Sequence, residues 1–122
     1  MAENARGAQA PVNFTRIQET SEGDTEFEKE LFLIFLEDCA DRLELLRAAV
    51  SNRDIEKVHL EAHTIKGAGA NVGTTHLHEI AFVLEEMDSA AIPDAADAVI
   101  ADLDAEFSRV KSAITDYVAA LD

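Results

Sequence analysis

Apolar residues recur along most of the chain at intervals of three and four positions, the spacing that places them on one face of an α-helix. The clearest stripe follows Pro93, a residue suited to the first turn of a helix. It alternates these intervals for about seven turns, through Ala96, Ile100, Leu103, Phe107, Val110, Ile114, Tyr117 and Leu121. This pattern predicts a final helix over residues 94–121.

Shorter apolar stripes, together with residues that commonly begin or end helices, predict three earlier helices. Asp24 or Thr25 can cap the first of them, and Thr25 with Glu28 fits a capping box. Asp54 is a suitable N-cap for the second, which we expect to end near Gly73. The four predicted helices span residues 25–51, 55–71, 75–87 and 94–121.

Four long helices joined by short connections are typical of an antiparallel four-helix bundle, so we expect an all-α fold of this kind. Phe14 and Ile17, three positions apart, predict a short extra N-terminal helix that ends at Gly23. Residues 1–12 are mostly small or polar, and we interpret them as a flexible N-terminal tail. The predicted bundle then occupies residues 13–122.

The acidic charge of the chain narrows the choice of partners. Its 122 residues include 25 Asp and Glu against 10 Lys and Arg, a net charge of −15 with the histidines neutral. Such a field repels phosphate backbones and anionic lipids, so we expect neither nucleic acid nor a membrane as a partner. The single cysteine, Cys39, excludes an internal disulfide and a cysteine-based zinc cluster.

The length of the apolar runs and the sequence of the N-terminus indicate where in the cell the protein is expected. No apolar run approaches the roughly 20 residues that span a bilayer. The N-terminus lacks the basic start and apolar segment of a secretory signal. We therefore expect a cytoplasmic protein.

The predicted helix over 55–71 carries the residues that point to chemistry. Its core face is a seam at intervals of four and three, formed by Val58, Ala62, Ile65, Gly69 and Val72. At about 100° per residue, His63 lies about 140° from the centre of that seam and faces solvent. His59, Lys66, Gly67 and Ala70 share its side of the helix.

Two of these neighbours suit a histidine that carries a phosphoryl group. Gly67 places no side chain one turn above the imidazole, and Lys66 brings an ammonium group close to any anion on the ring. A neutral imidazole has a free lone pair on one nitrogen near neutral pH, as a nucleophile requires. By geometry alone, an ordinary surface histidine beside an ordinary surface lysine fits equally well.

The segment AHTIKG at 62–67, followed by ANVG at 70–73, resembles the signature of histidine-containing phosphotransfer (HPt) domains. That signature is a histidine, a lysine and a glycine at the third and fourth following positions, and a glycine six positions further on. His63, Lys66, Gly67 and Gly73 match all four positions. The resemblance extends over about residues 14–120, and Glu85 fits the helix that follows in this family.

The resemblance implies a phosphorelay intermediate. His63 would accept a phosphoryl group at Nε2 from an aspartyl phosphate on a receiver domain and pass it to another receiver. Lys66 would stabilise the phosphate, Gly67 would give steric clearance, and Gly73 would end the helix. The chain itself needs no cofactor, since Mg²⁺ is expected on the receiver. No Walker-type loop or kinase motif is present, so we expect a monomeric phosphocarrier without autokinase activity.

The face around His63 is also the expected docking face for receiver domains. We predict that it includes His59, Leu60, Ala70, Phe32 and Leu36. An alternative for Leu60 is that it packs under the N-terminal helix.

Three other functions remain as alternatives. His59 and His63 have the i, i+4 spacing of two metal ligands, with Glu56 nearby, but His76 and His78 point apart and we expect no metal site. The bundle could bind a receiver or kinase as an adaptor without relaying phosphate. It could also be a domain of a larger kinase of the chemotaxis type, although Met1 and the completed final helix favour a free-standing protein.

Overall fold

The computed structural model describes residues 10–121, and within that range the regular structure is entirely helical. Its five helices are α1 (Phe14–Ser21), α2 (Thr25–Ser51), α3 (Ile55–Asn71), α4 (Thr75–Glu85) and α5 (Ile92–Leu121). The prediction of an all-α bundle with a short extra N-terminal helix is confirmed, and the predicted boundaries differ from the observed ones by at most two residues. No helix in the described range is long and apolar enough to cross a membrane.

Two aspartates cap the N-termini of α2 and α3. The Asp24 side chain accepts a hydrogen bond from the Phe27 N–H at 3.0 Å, and Asp54 accepts one from the Lys57 N–H at 3.2 Å. The predicted capping box of Thr25 and Glu28 does not form, because Asp24 is the N-cap of α2 and Glu28 points into the protein. Glu28 therefore contributes to contacts between helices and does not cap the N-terminus of its own helix.

The core lies between α2, α3, α4 and α5, and α3 packs against both α2 and α4. The seam predicted for α3 is buried at all five positions, which leaves the opposite side of that helix in solvent. The largest fully buried side chains include Phe32, Leu46, Ile65, Leu77, Leu84, Leu103 and Ile114. This core fixes the rotation of α3 and therefore the direction in which its polar side chains point.

α1 and the residues just before it are packed onto the bundle. The Phe14 ring stacks on Tyr117 of α5 with a centroid distance of 4.1 Å, and both rings meet the edge or face of Phe32. Val12 is buried, and the Asn13 N–H donates to the Gly73 carbonyl at 2.8 Å. The predicted tail boundary at residue 12 is thus wrong at Val12, while residues 1–9 lie outside the described range.

A buried carboxylate joins α1, α2 and α5. Glu28 accepts hydrogen bonds from the Ser21 hydroxyl and from the Tyr117 hydroxyl, each at 2.5 Å. Burial raises the pKa of Tyr117, and the hydrogen bond to Glu28 raises this pKa further. The phenol of Tyr117 therefore stays protonated at physiological pH. It donates a hydrogen bond to Glu28 and so links α5 to α2.

We expect Tyr117→Phe to lower the free energy of unfolding by about 2 kcal/mol, because a buried carboxylate loses a donor. Chemical denaturation at pH 7 measures this loss, with Ser108→Ala, which removes an exposed hydroxyl from the same helix, as the control. Since the pKa of Tyr117 is raised on folding, the difference should shrink as alkaline pH ionises the phenol. Equal stabilities of Tyr117→Phe and the control at pH 7 would contradict this role.

Candidate functional site

The site lies where α3 and α4 run antiparallel after the turn at Gly73 and Thr74. His63 on α3 is 63% exposed, as the helical wheel predicts, and its Nδ1 is hydrogen-bonded to Glu85 Oε2 on α4. Lys66, one turn further along α3, reaches the other carboxylate oxygen with its Nζ 2.6 Å from Oε1. One carboxylate thus contacts both polar residues of the motif.

Glu85 is the residue of the site to which sequence reasoning assigned no chemistry. The sequence positions do predict that Glu85 lies near His63, because two residues that are equally far from the turn of a helical hairpin lie opposite each other. His63 precedes Thr74 by the same number of residues by which Glu85 follows it, and the same relation joins Lys66 to Phe82. The Lys66 ammonium does lie over the Phe82 ring, 5.2 Å from its centroid.

Lys66 is held more tightly than the sequence suggested. Its side chain is only 21% exposed, between the Glu85 carboxylate and the Phe82 ring. The sequence predicts a cation beside His63, and the structure contains one, but its charge is already paired with Glu85. Lys66 must therefore exchange part of this contact if it is to meet an anion on the imidazole.

The electrostatics of Glu85 favour its ionised form. The hydrogen bond from Lys66 lowers the pKa of this carboxyl group, burial opposes that effect, and the contact with His63 lowers the pKa further. An ionised carboxylate can only accept hydrogen bonds. The hydrogen of the His63 contact therefore belongs to Nδ1, which leaves the lone pair of the neutral ring on Nε2.

The neighbouring histidines are bound to backbone carbonyls. His59 is half-buried and its Nε2 lies 3.0 Å from the Met87 carbonyl, while His78 Nδ1 lies 3.1 Å from the Lys66 carbonyl. A ring nitrogen that contacts a carbonyl oxygen must be the donor, so the His59 Nε2, which contacts the Met87 carbonyl just after α4, offers no lone pair to a metal. Among residues 10–121, no group of three His, Cys, Asp or Glu side chains is arranged to hold a metal ion.

The two glycines of the motif, Gly67 and Gly73, have different structural roles. A Cβ on Gly67 would meet nothing within 4 Å, so the surface beside His63 is open. Gly73 has a φ of +82°, and a Cβ there would lie 2.5 Å from the Asn13 carbonyl oxygen. Gly67 therefore gives clearance to whatever approaches the site, whereas Gly73 allows the turn and the close approach of the segment before α1.

The structure corrects part of the predicted docking face. Phe32 is completely buried between Phe14 and Tyr117, so it cannot contact a partner. Leu36 is half-buried and packs against the core. Phe32 and Leu36 lie four positions apart on one apolar stripe of α2, but this spacing could not show that α1 and α5 cover the aromatic part of the stripe.

Other residues of the predicted docking face remain accessible. Leu60 is 58% exposed, which excludes the alternative that it packs under α1. Ala70 is half-buried and lines a cavity of about 330 Å³ between α1 and the α3–α4 turn. Sequence reasoning missed the exposed Ile34 and Phe82, whose neighbours in space depend on how the helices pair.

Comparison with known proteins bears directly on this arrangement. The Hpt domain family matches residues 30–118. The chain is also similar in structure to histidine-containing phosphotransfer protein B from Pseudomonas aeruginosa PAO1, with a TM-score of 0.83 at 23% sequence identity, over 93% of this chain and 98% of that one. A search of curated proteins gave no significant match. The similarity to the solved structure shows a shared fold.

The family match covers most of the chain, including all of α3 and α4, and it confirms the resemblance that the motif around His63 indicated. Proteins of this family carry phosphoryl groups on histidine and interact with the receiver domains of response regulators and kinases. The chain belongs to the Hpt domain family and is a histidine phosphotransfer intermediate of two-component signalling.

Proposed function

We propose that His63 is the residue that carries the phosphoryl group and that Nε2 is the reacting atom. The observation that supports this most strongly is the exposed imidazole whose Nδ1 is engaged by an ionised carboxylate. Of the four histidines in the chain, His59 and His78 are tied to carbonyl groups and His76 lies on the side of α4 that faces α5. His63 combines solvent exposure with a defined tautomer.

In the forward step, the Nε2 lone pair attacks phosphorus of an aspartyl phosphate, the P–O bond breaks, and the aspartate leaves as a carboxylate. The ring then carries a positive charge shared with the proton on Nδ1, and Glu85 lies against that proton. Transfer to a second receiver reverses these events. We assign charge stabilisation by Mg²⁺ to the receiver, because such transfer depends mainly on positioning and electrostatics.

Lys66 is proposed to stabilise the phosphorylated state. A phosphoryl group adds a charge of about −1.5 to −2 near neutral pH, and this protein already has a net charge of −15. The Lys66 ammonium is one helical turn from His63, and the flexible stem of a lysine would let it exchange part of its contact with Glu85 for one with a phosphoryl group on Nε2. Its contact with Phe82 keeps the ammonium near the site in the absence of phosphate.

The proposed docking face consists of exposed apolar side chains on three helices around His63. Leu60 is on α3 itself, and Phe82 is on α4 beside Lys66. Ile34, Asp38 and Arg42 share one edge of α2, and Arg42 contacts Glu61 of α3 at 3.2 Å, so this edge borders α3. A modest apolar surface around a reactive residue suits a transient partner.

The proposal also covers how the protein works in the cell. It acts as a monomeric phosphocarrier in the cytoplasm, where it meets receiver domains one at a time. We assign no ATP-dependent step to it, because the sequence has neither a Walker-type loop nor a kinase motif. Gel filtration with light scattering, and incubation with labelled ATP in the absence of other proteins, test these two parts.

The direct test is incubation with a panel of receiver domains that carry labelled aspartyl phosphate. We expect label to move to this protein from at least one receiver, in a form stable to alkali and labile to acid. Mass spectrometry of the labelled peptide should place the phosphate at His63. Transfer from no receiver, or label at another residue, would refute the proposal.

Gly67→Leu should separate transfer from stability. The side chain has open space, and leucine favours helix over glycine, so the free energy of unfolding should rise by about 0.5–1 kcal/mol. The leucine side chain obstructs an approaching receiver, and misplacement of reacting groups slows transfer by on the order of tenfold to a hundredfold. Rapid-quench transfer assays measure this effect.

Gly67→Ala is the graded control for that experiment, since its Cβ meets nothing within 4 Å and should slow transfer much less. If Gly67→Leu transfers phosphate at the wild-type rate, the clearance assigned to Gly67 is wrong.

A further inference from the structure

The starting observation is that Glu85 contacts the imidazole on the nitrogen that does not react. Its Oε2 is hydrogen-bonded to His63 Nδ1, and its Oε1 is paired with Lys66 Nζ at 2.6 Å. Glu85 is 17% exposed, so solvent screens these contacts only in part. Because the phosphoryl group is attached to Nε2, the contact between Glu85 and the proton on Nδ1 can remain in the phosphorylated protein.

We infer that Glu85 sets how readily phosphorylated His63 releases its phosphoryl group, because a carboxylate against Nδ1 requires a proton on that atom. This inference rests on the proposed function of His63 as the phosphoryl carrier. It makes Glu85 a positioning residue, since it acts on the phosphoryl group only through the ring.

The argument depends on what each side chain can offer to Nδ1. An ionised carboxylate accepts hydrogen bonds and donates none, so it stabilises the protonated ring and repels a ring with a bare lone pair on Nδ1. A carboxamide of the same shape accepts through its oxygen and donates through its nitrogen, so it accommodates both forms. Glutamate at position 85 therefore selects the protonated form, and glutamine would not.

Protonation at Nδ1 decides what leaves when the phosphoryl group departs. As the P–Nε2 bond breaks, its electron pair stays on Nε2, and an oxygen of the receiver carboxylate or of water forms the new bond to phosphorus. With a proton on Nδ1, the leaving group is neutral imidazole. Without that proton it is an imidazolate anion, which leaves far less readily. Selection of the protonated form thus gives a short-lived and easily transferred phosphoryl group.

Other titratable and charged groups lie close to His63 and Glu85. From α3, Lys66 pairs with the carboxylate, and the half-buried His59 donates to the Met87 carbonyl. On α4, His78 is bound to the Lys66 carbonyl, and Glu86, which follows the last residue of α4, is exposed. Lys66 moderates the charge of Glu85, but it cannot supply an acceptor, so within residues 10–121 the acceptor for Nδ1 is Glu85.

The test compares wild type, Glu85→Gln and Glu86→Gln after chemical phosphorylation with phosphoramidate, which needs no receiver. Because charge-assisted hydrogen bonds are roughly twice as strong as neutral ones, Glu85→Gln should lengthen the half-life of phosphohistidine at pH 7.5 by about threefold to tenfold. Its profile of dephosphorylation rate against pH should move to lower pH by about half a unit to one unit. Glu86→Gln removes the same charge one residue away and should match wild type.

The outcomes separate this inference from the proposed function. If phosphoramidate labels wild type at His63 but Glu85→Gln has the same half-life and the same pH profile, the inference is wrong and the function of His63 is unaffected. If Glu86→Gln moves the profile as far as Glu85→Gln does, general charge is responsible and the inference is also wrong. If receivers transfer nothing to wild type while the profile shifts, the proposed function fails instead.

Discussion

His63→Gln should abolish uptake of phosphoryl label from every receiver that labels the wild-type protein. Glutamine has no ring nitrogen that can act as the nucleophile, although it can still donate a hydrogen bond to Glu85. Because His63 is 63% exposed, the substitution should change the free energy of unfolding by no more than about 0.5 kcal/mol. Transfer assays with labelled phospho-receivers, combined with thermal denaturation, measure both effects.

A second histidine provides the control for that experiment. His76 lies on the side of α4 that faces α5, away from His63, and His76→Gln should take up label at the wild-type rate. Wild-type labelling of His63→Gln would overturn the assignment of the phosphorylated residue. Loss of labelling in both variants would indicate that uptake depends on something other than His63.

Gly73→Ala should lower the free energy of unfolding by about 2–4 kcal/mol, the largest stability loss we expect from a single methyl group in this protein. Two costs add at this position. The φ of +82° belongs to the left-handed region, which an L-residue with a Cβ adopts at a cost. The new Cβ would also lie 2.5 Å from the Asn13 carbonyl oxygen, and backbone cannot move aside as a flexible side chain can.

Gly23→Ala isolates the first of these costs. Gly23 has a similar φ of +88°, but a Cβ there would meet nothing within 4 Å. We expect it to lose only about 1 kcal/mol, since conformational strain acts alone. Urea denaturation of both variants gives the comparison, and equal losses at the two positions would show that the contact with Asn13 contributes nothing.

The helices could be predicted because their information is local. Spacing of apolar residues, Asp24 and Asp54 as caps, and the glycines at the turns all lie within a few residues of the structure that they determine. The exposure of His63 was equally local, since the seam of one helix defines its opposite face. The role of His63 needed more than geometry, and the resemblance of the surrounding motif supplied it.

What could not be predicted depended on contacts between helices. An apolar stripe on α2 does not show which neighbour covers it, so Phe32 was assigned to the docking face although α1 and α5 bury it. Glu28 fitted a capping box by spacing, but two hydroxyl groups distant in sequence bind it instead. Glu85 acquires its role through the pairing of α4 with α3, and only its distance from the turn, equal to that of His63, indicates this pairing in the sequence.

The α3–α4 turn limits how this sequence can change over evolutionary time. His63 and Glu85 meet because they are equally distant from Thr74, so inserting or deleting one residue in the turn would rotate one helix by about 100° relative to its partner. The carboxylate would then point away from the imidazole even if the bundle still assembled. Homologues that relay phosphate in this way should therefore keep the spacing between these two positions constant, while the connection between α4 and α5 is free to vary in length.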